Sequence, residues 1–192
     1  MLKNIAVFGS SSPDFDTQYD EAAFRMGQII GENGMRLIFG IGDDGLMGEV
    51  FRGALHKHAK VFGVTTPALF DLQCHDKSVF KNYEVQIVST LSERKRRMYS
   101  VSDAMVVLPG GWGTIDEFAE FSVTVKIHDI NVKPMIFLNT NGFWENLHKQ
   151  FDVMIQSNAI SPKQFEHVGF ADTPEDVLPL AARIQTKLEQ QG

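Results

Sequence analysis

Short apolar runs alternate with longer stretches of helical periodicity from one end of the chain to the other, and no other feature restricts the fold as much. The apolar runs fall at residues 4–8, 36–39, 61–64, 84–88, 104–108, 135–138 and 168–170, each of strand length. Between the first two, Tyr19, Ala22, Met26, Ile29 and Ile30 recur at helical spacing, with Gly34 placed to end that helix. Thr173-Pro174-Glu175-Asp176 marks another helix start, with an N-cap residue and proline at the first helical position. Strand and helix in strict alternation is the pattern of βαβ units. The predicted architecture is therefore α/β, a Rossmann-like doubly wound parallel sheet with helices on both faces. No repeat, low-complexity tract or linker interrupts the pattern, so residues 1–192 are expected to form a single domain.

Charge and cysteine content exclude several functions. Eighteen Lys and Arg against 24 Asp and Glu give a net charge of −6, which argues against a nucleic-acid partner, since affinity for phosphate backbones comes mostly from a basic surface. The single cysteine, Cys74, excludes an intrachain disulfide framework and a thiolate zinc cluster and fits a reducing compartment. The apolar run at the start of the chain stops at Gly9 and is too short for a secretory signal. No stretch reaches the roughly 20 apolar residues of a membrane span, so a cytoplasmic protein without a membrane partner is expected.

In a doubly wound sheet, ligands bind beyond the carboxyl ends of the strands. Three strand ends here carry glycine or serine clusters: Gly9-Ser10-Ser11-Ser12, Gly40-Ile41-Gly42-Asp43-Asp44-Gly45, and Pro109-Gly110-Gly111-Trp112-Gly113-Thr114. Glycine admits an anion close to backbone amides, and the following helix start adds free N–H donors, so this edge suits a phosphate. Tight strand-to-helix turns would explain any one loop; three together favour a ligand. Gly40, Gly42 and Gly45 formally satisfy G-x-G-x-x-G, but the motif follows the second strand, and no acidic residue stands about 20 positions on. An NAD-dependent oxidoreductase is therefore disfavoured.

Thr90-Leu91-Ser92-Glu93 reads as a capping box, which starts a helix and puts Arg94 near its amino terminus. Met98 and Val101 follow Arg94 at helical spacing, so Arg94 should face inward and Arg96 outward. Thr114 and Glu117 admit two readings, a second capping box or a carboxylate one turn beyond a phosphate-binding helix start. His56 and His58, two apart on one helix, cannot share a face, and His128, His148 and His167 lack partners at metal-ligand spacing. No metal and no other cofactor is expected, and Lys126 has no context for a Schiff base. Residues 66–82 show no periodicity and read as a long loop of the kind that is often functional.

Together these motifs resemble those of the LOG family, cytokinin riboside 5′-monophosphate phosphoribohydrolases often labelled lysine decarboxylases. The run from Pro109 to Glu117 is similar to the family's P-G-G-x-G-T-x-x-E signature. Gly45-Leu46-Met47-Gly48, Arg94-Lys95 with Met98, Ser102-Asp103-Ala104 and Lys133-Pro134 extend the likeness over most of the chain. The resemblance implies that Glu117 and Arg94 are the catalytic pair. Gly110, Gly111, Trp112, Gly113 and Thr114 would hold the 5′-phosphate, and Lys95, Asp116 and Asp76 would join them in binding substrate, together with Ser10, Gly42 and Gly45 of the other two strand-end loops. It further implies a small nucleotide as substrate and a homodimer with the active site near the subunit interface. Ile41 stands where the family commonly has glycine, Asp43-Asp44 adds charge beside it, Leu91-Ser92 replaces Met-His, and residues 122–126 depart from T-W-A-Q. These changes spare Glu117 and Arg94 but reshape the surroundings of the base.

Three activities follow for comparison. The first is hydrolysis of a purine nucleoside 5′-monophosphate to free base and ribose 5-phosphate. The second is non-hydrolytic binding or carriage of a nucleotide or phosphorylated cofactor, such as the molybdenum cofactor. The third, amino-acid decarboxylation, would require a pyridoxal phosphate lysine.

Overall fold

A computed structural model of the chain describes residues 2–127 and 130–190. Seven strands form one parallel sheet: β1 (Asn4–Phe8), β2 (Arg36–Phe39), β3 (Lys60–Thr65), β4 (Glu84–Ile87), β5 (Ala104–Val107), β6 (Met135–Leu138) and β7 (Val168–Ala171). Their order is β4-β3-β2-β1-β5-β6-β7. The winding reverses between β1 and β5, so the loops that leave these two strands diverge and open a crevice. β1 pairs with β2 through Ile5 and Leu37 and with β5 through Ile5 and Ala104.

Alternation along the strands sends successive side chains to two apolar layers. On one face Ile5, Val7, Leu37 and Phe39 meet α1 (Asp20–Glu32), α2 (Gly45–His56) and the carboxyl-terminal helix Pro174–Glu189, which is α8. On the other, Ala6, Phe8, Val107 and Phe137 meet α4 (Leu91–Val101), α5 (Trp112–Lys126) and α6 (Glu145–Gln156). Helices thus cover both faces, and the sheet strands read as continuous apolar runs because both sides are buried.

Residues 66–82 are not a loop. Thr66 caps α3 (Pro67–Gln73), with proline at its first position, and a 3-10 helix follows at Lys77–Asn82. Seven and six residues are too short to display a hydrophobic period, and Phe70 and Phe80 anchor them by packing on each other and on Phe39 and Phe51. The two histidines of the α2 region separate differently from expectation as well. The helix ends at His56, and His58 lies beyond its C-cap with φ of 56°. His128 lies outside the described residues. The short α7 (Pro162–Phe165) begins with a full capping box between Ser161 and Gln164.

Candidate active site

The loops after β1, β2 and β5 converge on a cleft of about 570 Å³. Ser10 stitches them together: its N–H donates to the Pro109 carbonyl at 3.0 Å, and its carbonyl accepts from the Met47 N–H at 3.1 Å. Gly45, with φ of 53°, lets α2 start against this loop, since a Cβ there would lie 2.6 Å from the Ser12 carbonyl oxygen. At α5 the first intrahelical bond runs from the Ile115 N–H to the Gly111 carbonyl. The N–H groups of Trp112, Gly113 and Thr114 therefore have no partner within the helix. Gly111, Gly113 and Thr114 line the cleft, which puts the positive end of the α5 dipole at its wall.

Arg94 and Lys95 enter from the first turn of α4. Thr90 Oγ1 accepts from the Glu93 N–H at 3.1 Å, as the capping reading requires, while Glu93 Oε2 accepts from the N–H of Ser89 instead of Thr90. Arg94 is buried. Its Nε donates to the Val64 carbonyl at 3.0 Å and its Nη1 to Glu117 Oε1 at 2.9 Å. The guanidinium brings its Nη2 end against Gly40, where a Cβ would fall 1.5 Å from Nη2. Glu117 is thus a partner of Arg94, and Gly111, not Thr114, caps α5. Burial pushes the Glu117 carboxyl above the usual carboxylate range, although Arg94 pulls in the opposite direction.

Lys95 is buried too, bonded to Asp116 Oδ2 at 2.6 Å and to Glu120. Burial alone would lower its ammonium pKa, but these carboxylates outweigh it and hold the group above its ordinary value. Both cations at the cleft are therefore already paired, and Asp44, Asp116 and Glu117 share its lining. The side-chain cations at the cleft are thus matched by carboxylates, and the α5 N–H groups without a helical partner lie at its wall.

Of the residues expected at the site, Ser10, Arg94, Lys95, Gly111, Gly113, Thr114, Asp116 and Glu117 line the cleft. Gly110 lies behind it, its missing Cβ leaving room for Thr114 Oγ1. Trp112 points to solvent at 86% exposure. Gly42 faces Gln73, and Gly45 borders a smaller cavity with Asp20, Glu49 and Arg52. Asp76 is outside the lining, its carboxylate accepting from the Ser78 N–H and hydroxyl to start the 3-10 helix.

Three further residues support the site through contacts that only the fold supplies. Tyr99, fully buried, donates its hydroxyl to the Glu117 carbonyl at 2.7 Å and so fixes α4 to the backbone of the carboxylate. Lys133 donates to the carbonyls of Tyr99 and Ser102 at 2.5 and 2.6 Å, capping the far end of α4. Ile41 holds a left-handed backbone, φ 63°, rare for a β-branched residue. Its side chain fills the space left by Gly63, where a Cβ would lie 2.0 Å from Ile41 Cδ1. Spacing could have flagged only Tyr99, one helical turn beyond Lys95.

Among the described residues, Asp43, Asp44 and His75 bring ligand atoms within 4.8 Å of one another. The Asp43 carboxylate accepts from the N–H groups of His75 and Asp76, and His75 Nε2 contacts Asp44 Oδ2 at 2.5 Å.

The sequence matches the family described as "Possible lysine decarboxylase" over residues 47–180. The chain belongs to this family, the LOG family. A probable cytokinin riboside 5′-monophosphate phosphoribohydrolase of Oryza sativa subsp. japonica is 31% identical over 177 residues, covering 92% of this chain and 70% of the relative. A cytokinin riboside 5′-monophosphate phosphoribohydrolase of Arabidopsis thaliana is 30% identical over 196 residues, 97% of this chain and 88% of the relative. Among solved structures, the molybdenum cofactor binding protein of Rippkaea orientalis superposes with a TM-score of 0.68 at 22% identity, covering 96% of this LOG-family chain and 98% of that one. The molybdenum cofactor carrier protein of Chlamydomonas reinhardtii gives 0.67 at 20%, covering 97% and 99%. At these identities the likeness is one of fold. No described helix of the LOG-family chain is long and apolar enough to cross a membrane.

Proposed function

We propose that this LOG-family chain is a phosphoribohydrolase that cleaves the N-glycosidic bond of a purine nucleoside 5′-monophosphate, a cytokinin riboside monophosphate or AMP. The products are the free base and ribose 5-phosphate. The observation that carries the reading is the Arg94–Glu117 pair, almost closed to solvent, in the same cleft as the unpartnered amides of α5.

The 5′-phosphate sits on the N–H groups of Gly113 and Thr114 at the helix start, where no side-chain cation is needed. The C1′–N bond then breaks with its electron pair passing to the base, and positive charge develops on the ribose. Glu117 stabilises that charge and takes a proton from the water that attacks C1′. The departing base takes up one proton and Glu117 releases the one it accepted, so the net reaction consumes one water for each bond cleaved. Arg94 stays protonated at any working pH, so it orients Glu117 and does not shuttle protons. A carboxyl with a raised pKa is a better base near neutrality than an ordinary one, and the acid limb of kcat should lie above the ordinary glutamate range.

The names of the curated relatives support this chemistry at about 30% identity. We further propose that the chain works as a single domain, as a homodimer and in the cytoplasm. An apolar stripe along α5 supports the dimer, since Trp112, Val123 and the C-cap residue Ile127 are exposed on one side of it.

The test is incubation with a panel of purine nucleoside monophosphates and measurement of released base. Glu117→Gln should reduce turnover by about 10³-fold or more while nucleotide binding persists. Binding without base release by the wild-type protein across the panel would overturn the hydrolase and leave the carrier reading, including a phosphorylated cofactor such as the molybdenum cofactor.

A further inference from the structure

We propose that Asp43 is a specificity-determining positioning residue, which pins the segment from Gln73 to Asp76 against the second glycine loop and so shapes the part of the cleft that meets the base. The inference rests on the phosphoribohydrolase reading above. Leu69, Leu72, Gln73 and His75 form one stretch of the cleft wall, all from α3 and the residues just after it. With the phosphate on α5 and the scissile carbon at Glu117, the base is the part of the substrate left to meet this wall.

Asp43 holds this wall in place. The Asp43 carboxylate accepts from the N–H of His75 at 2.9 and 3.1 Å and from the N–H of Asp76 at 2.9 Å. The Asp43 N–H donates to the Gln73 carbonyl at 3.2 Å, and the Asp43 carbonyl accepts from Arg52 Nη1 at 3.0 Å. Gln73 Nε2 donates to Ser11 Oγ at 2.9 Å, tying the same segment to the loop after β1. Hydrogen bonds from two successive backbone amides to a carboxylate are charge-assisted and stronger than neutral ones. The negative charge that would oppose a phosphate is thereby directed away from the ligand and into the wall. The aromatic contacts of Phe70 and Phe80 fix the buried side of the segment, whereas Asp43 fixes its rim.

Asp43→Ala removes the acceptor and should raise KM for AMP about tenfold, with kcat within about threefold, because Arg94 and Glu117 stand on other elements. Inhibition by ribose 5-phosphate, which has no base, should stay within about twofold. Hydrogen exchange at the amides of His75 and Asp76 should accelerate in the same variant. Asp43→Asn keeps one oxygen acceptor and should fall between the two, which also serves if the alanine variant does not fold. A parallel loss of ribose 5-phosphate affinity, or an unchanged KM for AMP, would overturn the proposal. If the wild-type protein releases no base from any nucleotide, the hydrolase reading fails separately. Calorimetric affinities for AMP and ribose 5-phosphate then apply the same criterion, with loss of AMP binding alone supporting the role of Asp43 and equal loss of both overturning it.

Discussion

Arg94 is held by three contacts that come from three different parts of the chain: the Val64 carbonyl, the Glu117 carboxylate and the bare α-carbon of Gly40. The last is the most exacting, because nothing but hydrogen fits between Gly40 and the guanidinium. Gly40→Ala should push Arg94 away from Glu117 and lower kcat by about 10²-fold, the usual consequence of a displacement near 1 Å in a catalytic group. The measurement is steady-state kinetics beside a thermal melt, and full activity with the guanidinium displaced would show that Arg94 does not orient Glu117. Inward placement of Arg94 was legible from its helical spacing to Met98, but its contact with Gly40 was not, since 54 residues of chain separate them. Asp43 was misleading for the same reason. Read locally it repels a phosphate; in the fold its charge is answered by amides some 30 positions away.

At the scale of elements, α4 and α5 form a braced pair. Tyr99 and Lys95 of α4 reach the Glu117 carbonyl, Asp116 and Glu120 of α5, and Lys133 closes the end of α4. The outer face of α5 has no such cover, and Val123 and Ile127 are 56% and 63% exposed there. A charge in the middle of this stripe disrupts an apolar interface but leaves a solvent-facing helix intact. Val123→Asp should therefore shift the protein from dimer to monomer in sedimentation without lowering its helix content. Wild-type protein sedimenting as a monomer would overturn the proposed assembly. The long helices and all seven strands were legible because their length exceeds a hydrophobic period or because both faces are buried. Strand ends moved by one residue at most, with β3 gaining Lys60 and Thr65. The region from α3 to the 3-10 helix was not legible, since its order depends on Phe70 and Phe80 finding Phe39 and Phe51 on other elements.

Across the whole molecule, the stability should depend on pH through His167, which lies against Phe121 with its Nε2 buried and unpartnered. Burial lowers its pKa from 6.5 to about 4. As pH falls from 6.5 toward about 4, the unfolded chain binds a proton that the native protein refuses, so stability decreases, by up to about 3 kcal/mol in all. Melting temperature should drop over that range by an amount on the order of 10 °C, and His167→Leu should flatten the slope; an identical slope in the variant would place the effect elsewhere. By itself the sequence determined the α/β alternation, the three glycine loops at one sheet edge and the Pro109–Glu117 signature, because each is written in contiguous residues whose local preferences agree. Only the tertiary structure decided that Arg94 and Lys95 are paired, that Gly63 makes room for Ile41, and that Asp43 serves the α3 wall. Those outcomes depend on which distant groups the strand order brings within bonding distance, and no local preference encodes such a distance.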